Sequence, residues 1–127
     1  MSTARFSDDL FEEFLLLLNS SGLFSTESLE VTLSDLGGAQ GVIRNAYYIS
    51  AYELLGSALV SGNTLQSVLT FFKDFELCLG ERMEQRYYFV ESIVDCFAAR
   101  GDNVAALIET APSNYRVYLR TKFQQRK

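Results

Sequence analysis

Between Asn63 and Gly101 the apolar positions recur at intervals of three and four. Leu65, Val68, Leu69, Phe72, Phe75 and Leu79 share one helical face. Met83, Tyr87, Val90, Val94 and Phe97, with Ile93 beside them, make a second stripe. Gly80 stands between the two runs, where a left-handed residue closes a helix without a Cβ clash. The pattern predicts an antiparallel helical hairpin over residues 63–101, with the rest of the chain packed around it. Asn63 is the predicted N-cap, with Gln66 three residues on to complete a capping box. Arg100 and Gly101 supply a cation and a C′ glycine at the far end. Phe71, Cys78, Tyr88 and Phe89 fall off both stripes and need a second layer, a partner or water.

The same reading covers the flanks. Ser7 is the predicted cap of a helix from Asp8 to about Asn19, with Leu10, Phe11, Phe14, Leu15, Leu17 and Leu18 on a face wider than one neighbour needs. Ser25 or Thr26 starts a shorter helix bearing Leu29, Leu33 and Leu36, and Gly37-Gly38 stops it. Val31 and Thr32 leave a short strand open as the alternative. A third helix is predicted from Gln40 or Gly41 to Ser61, with Val42, Ala46, Ile49, Leu54 and Ala58 on its inner face. Gly56 within it costs about 1 kcal/mol relative to alanine, so close packing or a kink is expected there. Asp102 or Asn103 caps a short helix carrying Val104, Leu107 and Ile108, and Pro112 ends it. Ser113 caps a last helix with Tyr115, Val117, Tyr118, Leu119 and Phe123. The expectation is an all-α fold: one domain over residues 1–127, a compact bundle of six or seven helices, and a basic C-terminal helix at 113–127.

Composition agrees with a globular chain. Of 127 residues 48% are hydrophobic and 21% charged, and the only proline is Pro112. The apolar run Phe14 to Leu18 is far below the roughly 20 residues that span a bilayer. Arg5 is followed by Asp8, Asp9, Glu12 and Glu13, the wrong charge order for a signal peptide. A soluble, cytoplasmic protein without a membrane partner is expected. Cys78 and Cys96 read as reduced thiols inside helices, not as a disulfide framework.

The residue inventory narrows the chemistry. No histidine is present. Ser-His-Asp and Cys-His nucleophilic arrangements are therefore excluded, as are Glu-x-x-His di-iron sites. Two cysteines make no structural zinc site within one chain. Gly37-Gly38-Ala39-Gln40-Gly41 opens a helix but lacks the lysine and the preceding strand of a phosphate loop. Glu91 and Asp95 lie four apart and form a carboxylate pair, which is also the ordinary look of a solvated helix face. No cofactor, metal or catalytic residue is expected.

Charge is unevenly spread. All 16 acidic residues but only six of the 11 basic ones lie at or before Glu109, a formal −10 for that body. Arg116, Arg120, Lys122, Arg126 and Lys127 give the remainder +5. With Tyr118 these are the candidates for contact with nucleic acid or an acidic partner. The bland alternative is that they pair with the acidic body. Tyr47-Tyr48, Phe71-Phe72 and Tyr87-Tyr88 are adjacent aromatic pairs whose members point about 100° apart in a helix, so one of each can leave the core. Phe11, Tyr47, Tyr48, Phe71 and Tyr88 are the candidate protein-interface residues. The leading expectation is a non-enzymatic interaction module, such as an adaptor, an inhibitor or an accessory protein of viral or phage type. It is expected to self-associate as a homodimer or dock on a larger protein. A nucleic-acid-binding subunit is the alternative, and a small helical enzyme ranks last.

Overall fold

A computed structural model describes the backbone of residues 2–79, 83–110 and 113–124, and the side chains of 11–73, 87–110 and 115–123. Eight α-helices and no strands occur among the described residues, an all-α fold with helices closely packed. They are α1 (Ser2–Ser20), α2 (Thr26–Leu33), α3 (Gly38–Asn45), α4 (Tyr48–Gly62), α5 (Leu65–Leu79), α6 (Met83–Ala99), α7 (Ala105–Glu109) and α8 (Ser113–Leu119). A 3₁₀ turn, Ser34–Leu36, follows α2, and α8 runs on into a wider π turn, Arg120–Gln124. Gly80 and Glu81, where the hairpin was to turn, lie outside the described residues, as do Pro112 and the side chains of Leu10, Phe75, Cys78, Leu79, Met83 and Ser113.

Several boundaries follow the sequence chemistry. The Ser25 hydroxyl accepts from the Ser28 N–H at 3.0 Å, and α2 remains helical through Val31 and Thr32. Gly37 and Gly101, both at φ +87°, end the preceding segments in the left-handed region. The Asn103 side chain accepts from the Ala105 N–H at 3.0 Å at the start of α7.

Other boundaries differ. α1 begins at Ser2, so Ser7 lies within a helix rather than capping one; no glycine or proline interrupts the segment before it. The predicted third helix is two helices. Ala46 adopts φ +57°, and the Tyr47 N–H closes back on the Val42 carbonyl at 3.0 Å, a Schellman arrangement formed without glycine. That break rotates the inner face. Ala51, Tyr52, Leu55, Gly56, Leu59 and Val60 are buried, whereas Ala46, Ile49 and Leu54 face solvent. Asn63 is the C-cap of α4, donating its amide to the Leu59 carbonyl at 2.9 Å. Thr64 takes the N-cap role at α5, its hydroxyl accepting from the Ser67 N–H at 3.2 Å.

The main packing of α6 is against α4, with α5 touching it more sparingly. Gly56 permits this. A Cβ built there would lie 2.8 Å from the Phe89 carbonyl oxygen and 2.9 Å from the Ser92 Cβ. The Ser92 hydroxyl donates to the Glu53 carbonyl at 2.9 Å, and the Arg100 guanidinium donates to the Val60 carbonyl at 3.2 Å. The pairing thus advances in the same direction along both helices. Small side chains bring the two backbones together, while the bulkier Val68 and Phe72 of α5 fill the adjoining core.

Aromatic rings hold α1 over this pair. Phe14 meets Tyr52 edge-on at 5.0 Å and Phe89 at 4.7 Å, and Phe11 meets Tyr48 at 5.6 Å. The broad face of α1 therefore serves two neighbours, and Phe89 finds in α1 the second layer it required. Leu16, on the opposite side of α1, stays 70% exposed. Leu107 and Ile108 of α7 and Leu119 of α8 are fully buried and extend the same core.

Candidate functional site

α8 lies beside the middle of α6, and the two carry a cluster of tyrosines. Tyr115, Leu119 and Phe123 recur every fourth residue and face inward. Tyr118, three residues after Tyr115, falls on the flank of that stripe and is 46% exposed. On α6, Val90, Ile93, Val94 and Phe97 take the core, which leaves Tyr87 half-buried and Tyr88 39% exposed.

The rings stack. Tyr87 and Tyr115 lie 4.0 Å apart between centroids at an interplanar angle of 15°. Tyr115 and Tyr118 follow at 5.6 Å and 14°. The Tyr115 hydroxyl donates to the Tyr87 carbonyl at 2.9 Å, and the Tyr118 hydroxyl donates to the Glu91 carboxylate at 3.1 Å. Tyr87, Tyr88, Glu91, Tyr115 and Tyr118 together line an open groove of about 400 Å³, within the range of small recognition sites. Burial drives the Tyr115 phenol far above its ordinary pKa, and the Glu91 carboxylate adds to the effect. Tyr115 is therefore a neutral donor throughout the physiological range.

The basic helix is anchored from two sides. Arg116 and Arg120, four apart, both reach Glu109 on α7; the Arg120 Nε donates to it at 3.1 Å. The Lys122 ammonium pairs with Glu91. Hydrogen bonding from Arg120 holds the Glu109 carboxyl below its usual value, and the bond to Glu91 raises the Lys122 ammonium above its own. Each pair is solvent-accessible and so worth little alone. Together they place three of the five C-terminal cations on the acidic body, the blander of the two readings of that charge split. Arg126 and Lys127 lie outside the described residues.

The remaining candidates are scattered. Phe11 is fully buried in this chain's own core, with its ring against Tyr48 and Tyr52, and is not open to a second chain. Tyr48 is half-buried beside it, and Phe71 is half-buried with its ring tilted against Phe72 at 6.0 Å. Tyr47 is exposed, at the junction of α3 and α4. Only Tyr88 and Tyr118, assigned from sequence to two different surfaces, meet in one place. Tyr87 and Tyr115 belong to the groove but read from sequence as core. What marked them was the spacing of tyrosines at 87, 88, 115 and 118 on two helices whose contact no local pattern reveals.

Glu91 and Asp95 do not act as a carboxylate pair, because Glu91 is bound to Tyr118 and Lys122 while Asp95 faces solvent. Cys96 is a half-buried thiol whose pKa burial pushes up, with Asp95 adding to the rise and a hydrogen bond with Ser92 opposing it; it is the protonated, weakly nucleophilic form that results. Among the described residues no group of three or more acidic or cysteine side chains is gathered to hold a metal ion. No helix among them is long and apolar enough to cross a membrane. Comparison of the chain with protein-family models, with curated proteins and with solved structures finds no match.

Proposed function

We propose that this protein is a non-enzymatic protein–protein interaction module whose contact surface is the tyrosine groove between α6 and α8. The observation that carries this reading is the clustering of four tyrosines, two of them more than a third exposed, around one carboxylate on the surface. Tyrosine gives a large contact area at low side-chain entropy and is enriched where proteins meet. The groove also rests on rigid backbone: Tyr115 is tied to α6 through its hydroxyl, and Leu119 beneath it is fully buried. A surface already ordered loses little freedom on binding.

Nucleic-acid binding has less support. The cations that would meet phosphate are bound to Glu91 and Glu109, and releasing them would expose those carboxylates to the phosphates.

Sedimentation velocity together with affinity capture from native lysate tests the reading, using the wild-type chain and Tyr88→Glu. A homodimer that Tyr88→Glu dissociates identifies a second copy as the partner. A monomer that retains a protein lost from the folded variant identifies a different chain. A monomer whose captured proteins are identical for both forms overturns the proposal.

A further inference from the structure

We infer that the occupant of the α6–α8 groove is a proline-rich segment in the polyproline II conformation, flanked by a basic residue. The inference rests on the interaction-module reading above and specifies the partner's chemistry.

Hydrogen-bonding capacity comes first. The Tyr115 and Tyr118 hydroxyls are engaged within the protein. Those of Tyr87 and Tyr88 make no hydrogen bond to the protein and remain as donors at the groove. A polyproline II strand matches them, because it has no internal hydrogen bonds and its carbonyls are left as acceptors. Proline also carries no N–H, so its apolar ring can lie on tyrosine carbon without stranding a donor.

Ring geometry then separates this ligand from the other familiar guest of tyrosine clusters, a quaternary ammonium. Such a cation needs several ring faces converging on one point. Here Tyr87, Tyr115 and Tyr118 are nearly parallel, and Tyr87 and Tyr115 occupy each other's faces at 4.0 Å. The arrangement is a ridged floor rather than a box. A ridged aromatic floor suits an extended strand with three residues per turn.

Charge supplies the flanking preference. Glu91 stands in the groove and Asp95 follows one helical turn on, exposed; Lys122 offsets one of the two charges. The residues up to Glu109 carry a formal −10. A lysine or arginine beside the prolines therefore meets a favourable field, and an acidic flank meets an unfavourable one.

The test is fluorescence anisotropy with the full chain and four labelled probes: an arginine-flanked decaproline, its glutamate-flanked counterpart, a Gly/Ser peptide with the same arginines, and single-stranded oligo-dT. The arginine-flanked decaproline is expected to bind, with the glutamate flank weakening it about fivefold. Tyr88→Ala is expected to weaken it about tenfold at an unchanged urea midpoint. Should Tyr88→Ala fail to fold, Tyr88→Phe keeps the ring, removes the donor and is expected to weaken binding about threefold. Equal binding of the Gly/Ser peptide, preferential binding of oligo-dT, no binding of decaproline at about 1 mM, or indifference to both Tyr88 variants overturns the inference. If Tyr88→Glu still removes a captured partner while decaproline does not bind, the interaction module stands and the proline-rich partner falls.

Discussion

Gly56 lies directly against Phe89: a Cβ at position 56 would come within 2.8 Å of the Phe89 carbonyl oxygen. That contact sets the separation of α4 and α6, and through α6 it sets where the tyrosines of the groove stand. Gly56→Ala gains about 1 kcal/mol of helix propensity but forces backbone apart. The overpacking is expected to win, with a net loss of about 1–2 kcal/mol. Gly62, six residues further along the same helix, has open space around it. Gly62→Ala is therefore expected to stabilise by up to about 1 kcal/mol. Urea midpoints for the two variants should move in opposite directions.

Ala46 holds a left-handed conformation at φ +57° on an exposed surface. An L-residue with a Cβ pays about 1 kcal/mol for that region, and glycine avoids it. Ala46→Gly is expected to raise the urea midpoint by an amount equivalent to about 0.5–1 kcal/mol. A decrease would show that Ala46 is helical in solution and that α3 and α4 are continuous.

The C-terminal helix is part of the core rather than an appended basic tail, since Leu119 is fully buried and Phe123 nearly so. Leu119→Ala is expected to cost about 2–5 kcal/mol. Arg120→Gln removes only exposed pairs and should cost less than about 1 kcal/mol. Thermal unfolding followed by circular dichroism measures both. If the order of the two effects were reversed, electrostatics and not packing would hold this helix.

Alkaline pH should act through Tyr115. Its folded pKa is raised by burial, so the unfolded chain loses the phenolic proton first. The associated stability is complete below the ordinary phenol value of about 10 and declines as pH rises above it. Lys122, also raised, loses its bond to Glu91 in the same direction. Tyr115→Phe should be less stable near neutrality by about 1 kcal/mol, the hydroxyl's bond to Tyr87 being lost. It should also show a flatter decline above pH 10 than the wild type. An equally steep decline in the variant would place the titration elsewhere.

Acid should loosen the same helix by a different group. The Glu109 carboxyl is held below its usual value by Arg120, so its contribution is present above the ordinary carboxylate pKa and is lost as pH falls through the depressed one. Glu109→Gln is expected to reduce the acid sensitivity of the C-terminal amides in hydrogen exchange. No change in that sensitivity would show that the Arg116–Glu109–Arg120 contacts do not form in solution.

Local pattern accounts for much of this molecule. A spacing of three and four placed helices where they occur, and it identified Val90, Val94 and Phe97 as core, because helical period and burial are linked within a few residues of chain. Gly37 and Gly101 mark helix ends for a similarly local reason. The break at Ala46 escaped that reading because alanine carries no signal for a left-handed turn. The pairing of α4 with α6 escaped it too: Gly56 announced a close approach, but its partner stands more than thirty residues away in a chain where any apolar stripe could have met any other. The tyrosine stack depends on that assembly. Tyr87 and Tyr115 are separated by 28 positions, and their rings meet only after α8 has docked its buried face against the body. Side-chain chemistry along the chain thus specified which surfaces had to be covered, whereas the choice of covering partner came from shape and contact over distances that periodicity does not reach.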